Sequence, residues 1–189
     1  MNYGKLEKNI IDVIKEQQAK LGYMKEKVRL YYPLNSLNHF FGTEEGAEGM
    51  RKVLEGFRDC IRDRLGDVEV SEKDGRFCFL IQEEGAEYVH SLTGENDFIT
   101  ELVNVVREHG CTIGQILELF RAYSDRVYFE ETDNGEFDYL IRFEGDPQDD
   151  YVYCFKDEGC HMTYHRFLRE DYKEFGFEIH GGKDKVSVS

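Results

Sequence analysis

The spacing of apolar residues divides the chain into a helix-forming part and a strand-forming part. Up to about residue 124, most apolar residues recur every three or four positions, which is the period of an amphipathic helix. Residues 6–21 form one such stretch, and Gly22 follows it as a left-handed cap. A second stretch runs from Thr43, the predicted N-cap, to Gly66. Its apolar face consists of Met50, Leu54, Phe57, Ile61 and Leu65.

Shorter elements are predicted between and after these two helices. Residues 83–92 and 96–109 have helical spacing, and NSLNHFF forms a short helical segment before a glycine. Thr112 and Gln115 have the spacing of a capping box and predict one more helix start. KVRLYY is a short β-type run that ends at Pro33, and VEVSEKDGRFCFLI predicts a hairpin that turns at Asp74 and Gly75.

From Val127 onward the apolar period changes to two, which is typical of strands. RVYFEE, EFDYLIRFE, DYVYCF and CHMTYHRF are four runs separated by short polar turns, so they predict an antiparallel meander, and FGFEIH would add a fifth strand. We therefore expect an α+β fold, with N-terminal helices and a small hairpin followed by a C-terminal antiparallel β-meander of four to five strands. We expect one domain over 1–189, with a helical lobe at about 1–124, a β-meander lobe at about 125–182 and a tail at 183–189.

The hairpin CFKDEGCHMTYHRF raises the question of a metal or redox site, because it holds Cys154, Cys160, His161 and His165. With KDEG as the loop, Phe155 would face Cys160, and Cys154 would lie beside His161 on the neighbouring strand. His161 and His165 would then lie too far apart along one strand to bind one metal ion. The interpretation is a plain hairpin with no metal and no cofactor, and a metal or redox protein using Cys154–His165 is the weaker alternative.

The charge distribution bears directly on partners. The net charge is −15, and residues 125–150 alone hold ten Asp or Glu against two Arg. Such a surface disfavours nucleic-acid binding, which requires neutralised phosphates. The interpretation is either a solvated acidic rim or a docking surface for a basic protein partner. The candidate partner-binding residues are Glu130, Glu131, Asp133, Glu136 and Asp138.

The remaining composition indicates the cellular setting. No apolar run is long enough for a membrane span, and the first residues lack the apolar core of a secretory signal, so a cytoplasmic protein that does not bind membranes is expected. Five irregularly spaced cysteines agree with reduced thiols. Both a monomer and a homodimer remain open.

A second candidate site lies in YYPLNSLNHFFG, where aromatic, amide and imidazole groups are dense. Its candidate ligand-binding residues are Tyr31, Tyr32, Ser36, Asn38 and His39. The alternative is that the same stretch caps a turn and fills the core with its phenylalanines. The sequence contains no Walker A, GxSxG or HExxH motif, so an enzyme is not favoured.

Three stretches carry a family resemblance: KLEKNIIDVIKEQQAKLGY with RLYYPLNSLNHFFG, HGCTIGQILELFRAYSD, and NGEFDYLIRFE. They resemble a family of small bacterial cytosolic proteins known as domain of unknown function 3877, over nearly the whole chain. The resemblance implies a single bacterial domain and supplies no activity, ligand or catalytic residue. The leading hypothesis is a non-enzymatic acidic interaction module, and a small-ligand binder or enzyme around Tyr31, Tyr32, Asn38 and His39 is the alternative.

Overall fold

A computed structural model describes residues 3–92, 97–132, 134–145 and 150–174. Contacts between Cα atoms divide the chain into two compact units, 1–103 and 104–189. The division falls within one helix, α5 (Phe98–Arg107). The predicted α+β class is confirmed, whereas the prediction of one domain stays a prediction. FGFEIH, the predicted fifth strand, lies outside the described residues.

The first unit contains four helices that precede α5 and one three-stranded sheet among its described residues. In chain order they are α1 (Gly4–Leu21), β1 (Val28–Pro33), α2 (Leu34–Phe41), α3 (Ala47–Leu65), β2 (Glu69–Lys73), β3 (Arg76–Ile81) and α4 (Glu83–Ser91). The strand order is β1-β3-β2, and both pairings are antiparallel. The predicted hairpin thus gains a third strand, because the KVRLYY run pairs with β3.

Alternation of apolar residues along β1 and β3 explains how this sheet is buried. Every second side chain lies in the core: Val28, Leu30, Tyr32, Phe77, Phe79 and Ile81. The ring of Phe79 packs edge-on against Tyr32 at 5.3 Å and against Phe57 of α3 at 6.3 Å between centroids. The turn between β2 and β3 uses Asp74 and Gly75 with φ values of 53° and 74°, as predicted for this pair.

Helix α3 begins later than the sequence indicated. The prediction of Thr43 as its N-cap is wrong, because Gly46 precedes the first helical residue, Ala47. The Thr43 hydroxyl instead donates a hydrogen bond to Asn38 Oδ1 at 2.8 Å, which holds the connection to α2. The predicted apolar face of α3 and its end at Gly66 are confirmed. Helices α1 and α2 also end at the predicted glycines, Gly22 and Gly42.

The second unit contains the predicted meander. Its elements after α5 are α6 (Ile113–Tyr123), β4 (Val127–Glu131), β5 (Tyr139–Phe143), β6 (Tyr151–Asp157), β7 (Met162–Leu168) and α7 (Arg169–Glu174). The sheet order is β4-β5-β6-β7, with every pairing antiparallel. The Thr112–Gln115 capping box is present at the start of α6, as predicted.

Each face of this sheet packs against a helix. On one face, Phe120 of α6 lies 4.9 Å from Phe143 and 5.0 Å from Tyr153, measured between ring centroids. On the other face, Tyr172 of α7 joins a second apolar cluster with Phe137, Leu140, Val152 and Cys154. The central strand β6 is therefore covered on both sides, which explains why it is buried at five successive residues.

The predicted register of the β6–β7 hairpin is wrong by four residues. Phe155 pairs with Tyr164 rather than Cys160, and Cys154 pairs with His165 rather than His161. The turn consists of residues 158–161, so Cys160 and His161 lie in the turn and not on the strand. Both registers place Phe155 on the same face of the sheet, so the apolar pattern could not distinguish them.

None of the helices in the described ranges is long and apolar enough to cross a membrane. All five cysteines are free thiols.

Candidate partner-binding surface

The acidic candidates lie on β4, β5 and the residues between them, which together form the acidic hairpin (residues 127–143). Its turn is built by Asn134, whose Oδ1 accepts hydrogen bonds from the N–H groups of Glu136 at 3.0 Å and Phe137 at 2.9 Å. The Thr132 N–H donates to the Asp138 carbonyl at 2.8 Å and closes the loop. The sequence folds this way because an asparagine side chain satisfies backbone donors in a turn. Asp133 lies outside the described residues.

The carboxylate of Asp138 is committed to bonds within the unit. Its Oδ2 accepts from the Asp157 N–H at 2.8 Å, and its Oδ1 lies 3.0 Å from Lys156 Nζ. The backbone hydrogen bond from Asp157, followed by the Lys156 ammonium, lowers the pKa of Asp138 below its usual value. Asp138 therefore joins the hairpin turn to β6, and less of its charge is available to a partner.

Glu130 is half-buried and accepts a hydrogen bond from Tyr128. The Tyr128 hydroxyl donates to Glu130 Oε2 at 2.8 Å, two positions away on the same face of β4. Burial, together with the nearby Glu130 carboxylate, raises the pKa of Tyr128 to about 12. The phenol therefore stays protonated at neutral pH and keeps the Glu130 carboxylate in one position.

Glu131 and Glu136 are the exposed carboxylates of the predicted set. Neither makes an ion pair with any residue in the described ranges, and both side chains face solvent. Asp125, just before β4, is also exposed. The predicted set thus contains two exposed carboxylates, one half-buried carboxylate and one committed to internal bonds, in addition to Asp133.

The cation of the acidic hairpin is buried beneath these carboxylates. Arg142 on β5 has only 7% of its side chain exposed, and its Nη2 lies 3.0 Å from Glu144 Oε1. Its guanidinium carbon lies 4.4 Å from the centroid of the Tyr128 ring. The Arg142 charge is therefore neutralised inside the unit and does little to offset the exposed carboxylates.

The five candidate ligand-binding residues of the first unit do not form one site. Tyr31 points away from the core with 64% exposure, whereas its neighbour Tyr32 is buried. The Tyr32 hydroxyl donates to Asn9 Oδ1 at 2.7 Å inside the core. Ser36 is buried as well. The strand alternation that separates Tyr31 from Tyr32 could have been applied to the sequence directly.

Asn38 and His39 do lie together, at a wide and open depression of about 820 Å³. It is lined by Asn35, Asn38, His39, Gly42, Thr43 and Glu44. Asn38, however, is occupied in holding the loop, because its Oδ1 accepts from the Glu45 N–H at 2.8 Å and its Nδ2 donates to the Glu45 carbonyl at 2.9 Å. The imidazole of His39 also lines the depression and is exposed, as are the side chains of Asn35 and Glu44.

The β6–β7 hairpin separates the strand pair Cys154 and His165 from Cys160 and His161, which lie in its turn. Burial raises the pKa of the Cys154 thiol to about 12, so it stays protonated at neutral pH, whereas nucleophiles and metal ligands are thiolates. Cys160 Sγ lies 3.3 Å from His161 Nδ1 in the exposed turn. No group of three or more His, Cys, Asp or Glu side chains among the described residues is placed to hold a metal ion.

Comparison with known protein families identifies a family that covers most of the chain. The family model DUF3877, described as "Domain of unknown function, E. rectale Gene description", matches residues 3–176. The chain belongs to the DUF3877 family. The resemblance seen in the sequence is therefore confirmed, and the family description names no activity, ligand or partner. No curated protein and no solved structure matches.

Two residues important to the surface of this DUF3877 chain were not identified from its sequence. Tyr128 and Arg142 are directly paired across β4 and β5, and their contact decides which charges remain exposed. The alternation of RVYFEE and EFDYLIRFE places both on one face of a hairpin, but only the register shows that they are opposite each other.

Proposed function

We propose that this DUF3877 chain is a non-enzymatic interaction module that binds a basic protein partner through the acidic hairpin. The observation that carries the proposal is the separation of charges: Glu131 and Glu136 face solvent, whereas Arg142 is buried and paired with Glu144. Among the described residues of the acidic hairpin, a partner therefore meets exposed carboxylates but no exposed cation.

The physical basis of such binding is electrostatic complementarity. Exposed charges at an interface raise the association rate and select partners of opposite sign, and each contributes about 0–1 kcal/mol. Salt screens these contacts over a Debye length of about 8 Å at physiological ionic strength. Affinity should therefore fall as salt rises, and the exposed carboxylates should matter more than Asp138, which is bonded internally.

A charge-reversal experiment tests the proposal. The variant Glu131→Lys/Glu136→Lys should weaken binding of a fluorescent lysine-rich peptide at low salt by at least about tenfold, which corresponds to about 1.4 kcal/mol. The matched control is Glu108→Lys/Glu118→Lys, which changes the net charge equally at two exposed positions of the same unit, one directly after α5 and one on α6. If the two variants lost the same amount of peptide affinity, the effect would be due to net charge alone, and the acidic hairpin would not be the binding surface.

A second candidate function is supported by the depression at His39. It would be the binding of a small polar ligand, with the imidazole of His39 as the recognising group. The test is His39→Ala, with Asn35→Ala on the rim as control, in a thermal-shift screen of small anions and metabolites. Ligand-induced stabilisation that disappears only in His39→Ala supports this candidate, and an unchanged response in both variants refutes it.

A further inference from the structure

Strand β4 is the first strand of the order β4-β5-β6-β7, so one of its sides is an edge. No other strand of the described residues pairs with that side. Edge strands present backbone donors and acceptors on which another chain can form a strand. Which groups β4 presents follows from its ladder with β5.

The hydrogen bonds at both ends of β4 show which of its backbone groups point to β5 and which point outward. The Glu144 N–H donates to the Arg126 carbonyl at 3.0 Å, and the Thr132 N–H donates to the Asp138 carbonyl at 2.8 Å. Hydrogen-bonded pairs alternate in an antiparallel ladder, and the register is constant from residue 127 to residue 131. Tyr128 and Glu130 therefore bond to β5, and Val127, Phe129 and Glu131 direct their N–H and C=O groups outward.

The side chains of β4 suit an added strand. Val127 and Phe129 are only half-buried, and they lie on the face that packs against α6. Glu130 lies on the opposite face, and Glu131 is exposed at the end of the strand. An added strand would cover Val127 and Phe129 with apolar side chains on one face and place basic side chains beside Glu130 on the other.

The edge of β1 in the first unit is protected in ways that β4 is not. By the same alternation, starting from the Leu34 N–H bond to the Gly75 carbonyl, the outward positions of β1 are Arg29, Tyr31 and Pro33. Pro33 has no N–H, and proline and basic residues are common on exposed edge strands, where they hinder pairing with another strand. β4 contains neither proline nor a basic residue. The charged residues of β4 are Glu130 and Glu131, and a basic strand would neutralise them.

The same charges argue against a second copy as the occupant. Pairing β4 with β4 of another molecule would bring two acidic hairpins together, and like charges on neighbouring strands are destabilising. A segment rich in lysine or arginine experiences the opposite effect.

We infer that the outer edge of β4 accepts an extended segment of the basic partner as an added antiparallel strand, with apolar residues alternating with lysine or arginine. The inference rests on the proposed function and specifies how the partner binds. The partner's residues opposite Val127, Phe129 and Glu131 form the backbone hydrogen bonds, and those opposite Val127 and Phe129 are apolar. Its basic residues lie on the face of Glu130, with their own N–H groups directed away from β4.

Amide hydrogen exchange of the full chain gives the first test. In the free protein the N–H groups of Tyr128 and Glu130 should exchange slowly, and those of Phe129 and Glu131 should exchange at least about tenfold faster. Addition of an acetylated, amidated KVKVKVK peptide should slow the latter two. Slow exchange at all four positions in the free protein would show that the edge is already covered and would overturn the inference.

Methylated peptides separate strand pairing from plain charge attraction. N-methylation at the valines of KVKVKVK removes the donors that should bond to β4, and binding should weaken at least tenfold. N-methylation at the lysines keeps the same charge and places the methyl groups away from β4, so affinity should change less than threefold. Equal affinities of the two methylated peptides would overturn strand addition and leave the proposed function standing. If unmodified KVKVKVK did not bind at low salt, the proposed function itself would be refuted.

Discussion

The ion pair between Arg142 and Glu144 should respond unequally to removal of its two partners. The Arg142 side chain is 7% exposed, whereas that of Glu144 is 42% exposed. The Nε of Arg142 is buried and has no hydrogen-bond partner in the described part of the chain. Removing Glu144 leaves a buried cation, whereas removing Arg142 leaves a carboxylate that water can solvate.

The magnitudes follow from this asymmetry. Removing one partner of a buried pair costs about 3–5 kcal/mol when a charge is left uncompensated. In Glu144→Gln the Tyr128 ring, at 4.4 Å from the guanidinium carbon, still supports the Arg142 charge and is worth about 1 kcal/mol. We therefore expect Glu144→Gln to lower the free energy of unfolding by about 2–4 kcal/mol. Arg142→Met also removes the unpaired Nε, and we expect a change within about 1 kcal/mol.

The measurement is urea denaturation of the full chain for both single variants and the double variant, followed by circular dichroism. The double variant should resemble Arg142→Met, so the cycle should yield a coupling free energy as large as the Glu144→Gln effect, about 2–4 kcal/mol. A larger loss for Arg142→Met than for Glu144→Gln would refute the reasoning, because it would show that the buried charge is stabilised by something other than Glu144.

Three further predictions concern pH, thiol reactivity and packing. Folding raises the pKa of Tyr128 from its usual 10 to about 12, so the stability contributed by the neutral phenol should be complete below pH 10 and lost as the pH rises towards 12. Urea denaturation at pH 9 and pH 11 should therefore show a smaller loss of stability between the two pH values in Tyr128→Phe than in the original protein. Peptide mapping after treatment of the folded protein with iodoacetamide at pH 8 should find Cys160 alkylated at least about tenfold faster than Cys154, because Cys154 is buried and its pKa is raised to about 12; equal rates would contradict the burial. Gly85→Ala should lower the free energy of unfolding by about 1–3 kcal/mol, because the new Cβ would lie 2.5 Å from a backbone oxygen at the end of α3. Gly114→Ala, with its nearest neighbour at 3.8 Å, is the control and should stabilise by up to about 1 kcal/mol.

Local signals in the sequence were sufficient for most elements of the fold. The glycines after α1, α2 and α3 and the Thr112–Gln115 capping box act within a few residues, so their prediction was correct. Thr43 was misplaced as a cap because its hydroxyl bonds backwards to Asn38. The β6–β7 register was wrong because the two registers differ by an even number of residues and bury the same face.

For the candidate surface, the sequence predicts which stretch of the chain is acidic, but not which of its charges are exposed. Counting charges located the acidic window, but Arg142 counted as an offset although it is buried against Tyr128 and Glu144. Asp138 counted as exposed charge although it bonds to Lys156 and Asp157, 18 and 19 positions later. The burial of Arg142 and the internal bonds of Asp138 both depend on how the strands pair, and charge counting along the sequence does not give that pairing.

The two sheets differ in how far apart along the chain their paired strands lie, and this has a consequence for folding kinetics. In the second unit every strand pairs with its neighbour in sequence, so each pairing closes a short loop. In the first unit Val28 pairs with Ile81, 53 positions later, and α2 and α3 lie between them. Because loop closure costs entropy before distant contacts compensate for it, we expect the meander to have the faster intrinsic folding rate. During synthesis, β1 emerges from the ribosome before its partner β3 and stays unpaired until residues 76–81 have followed it.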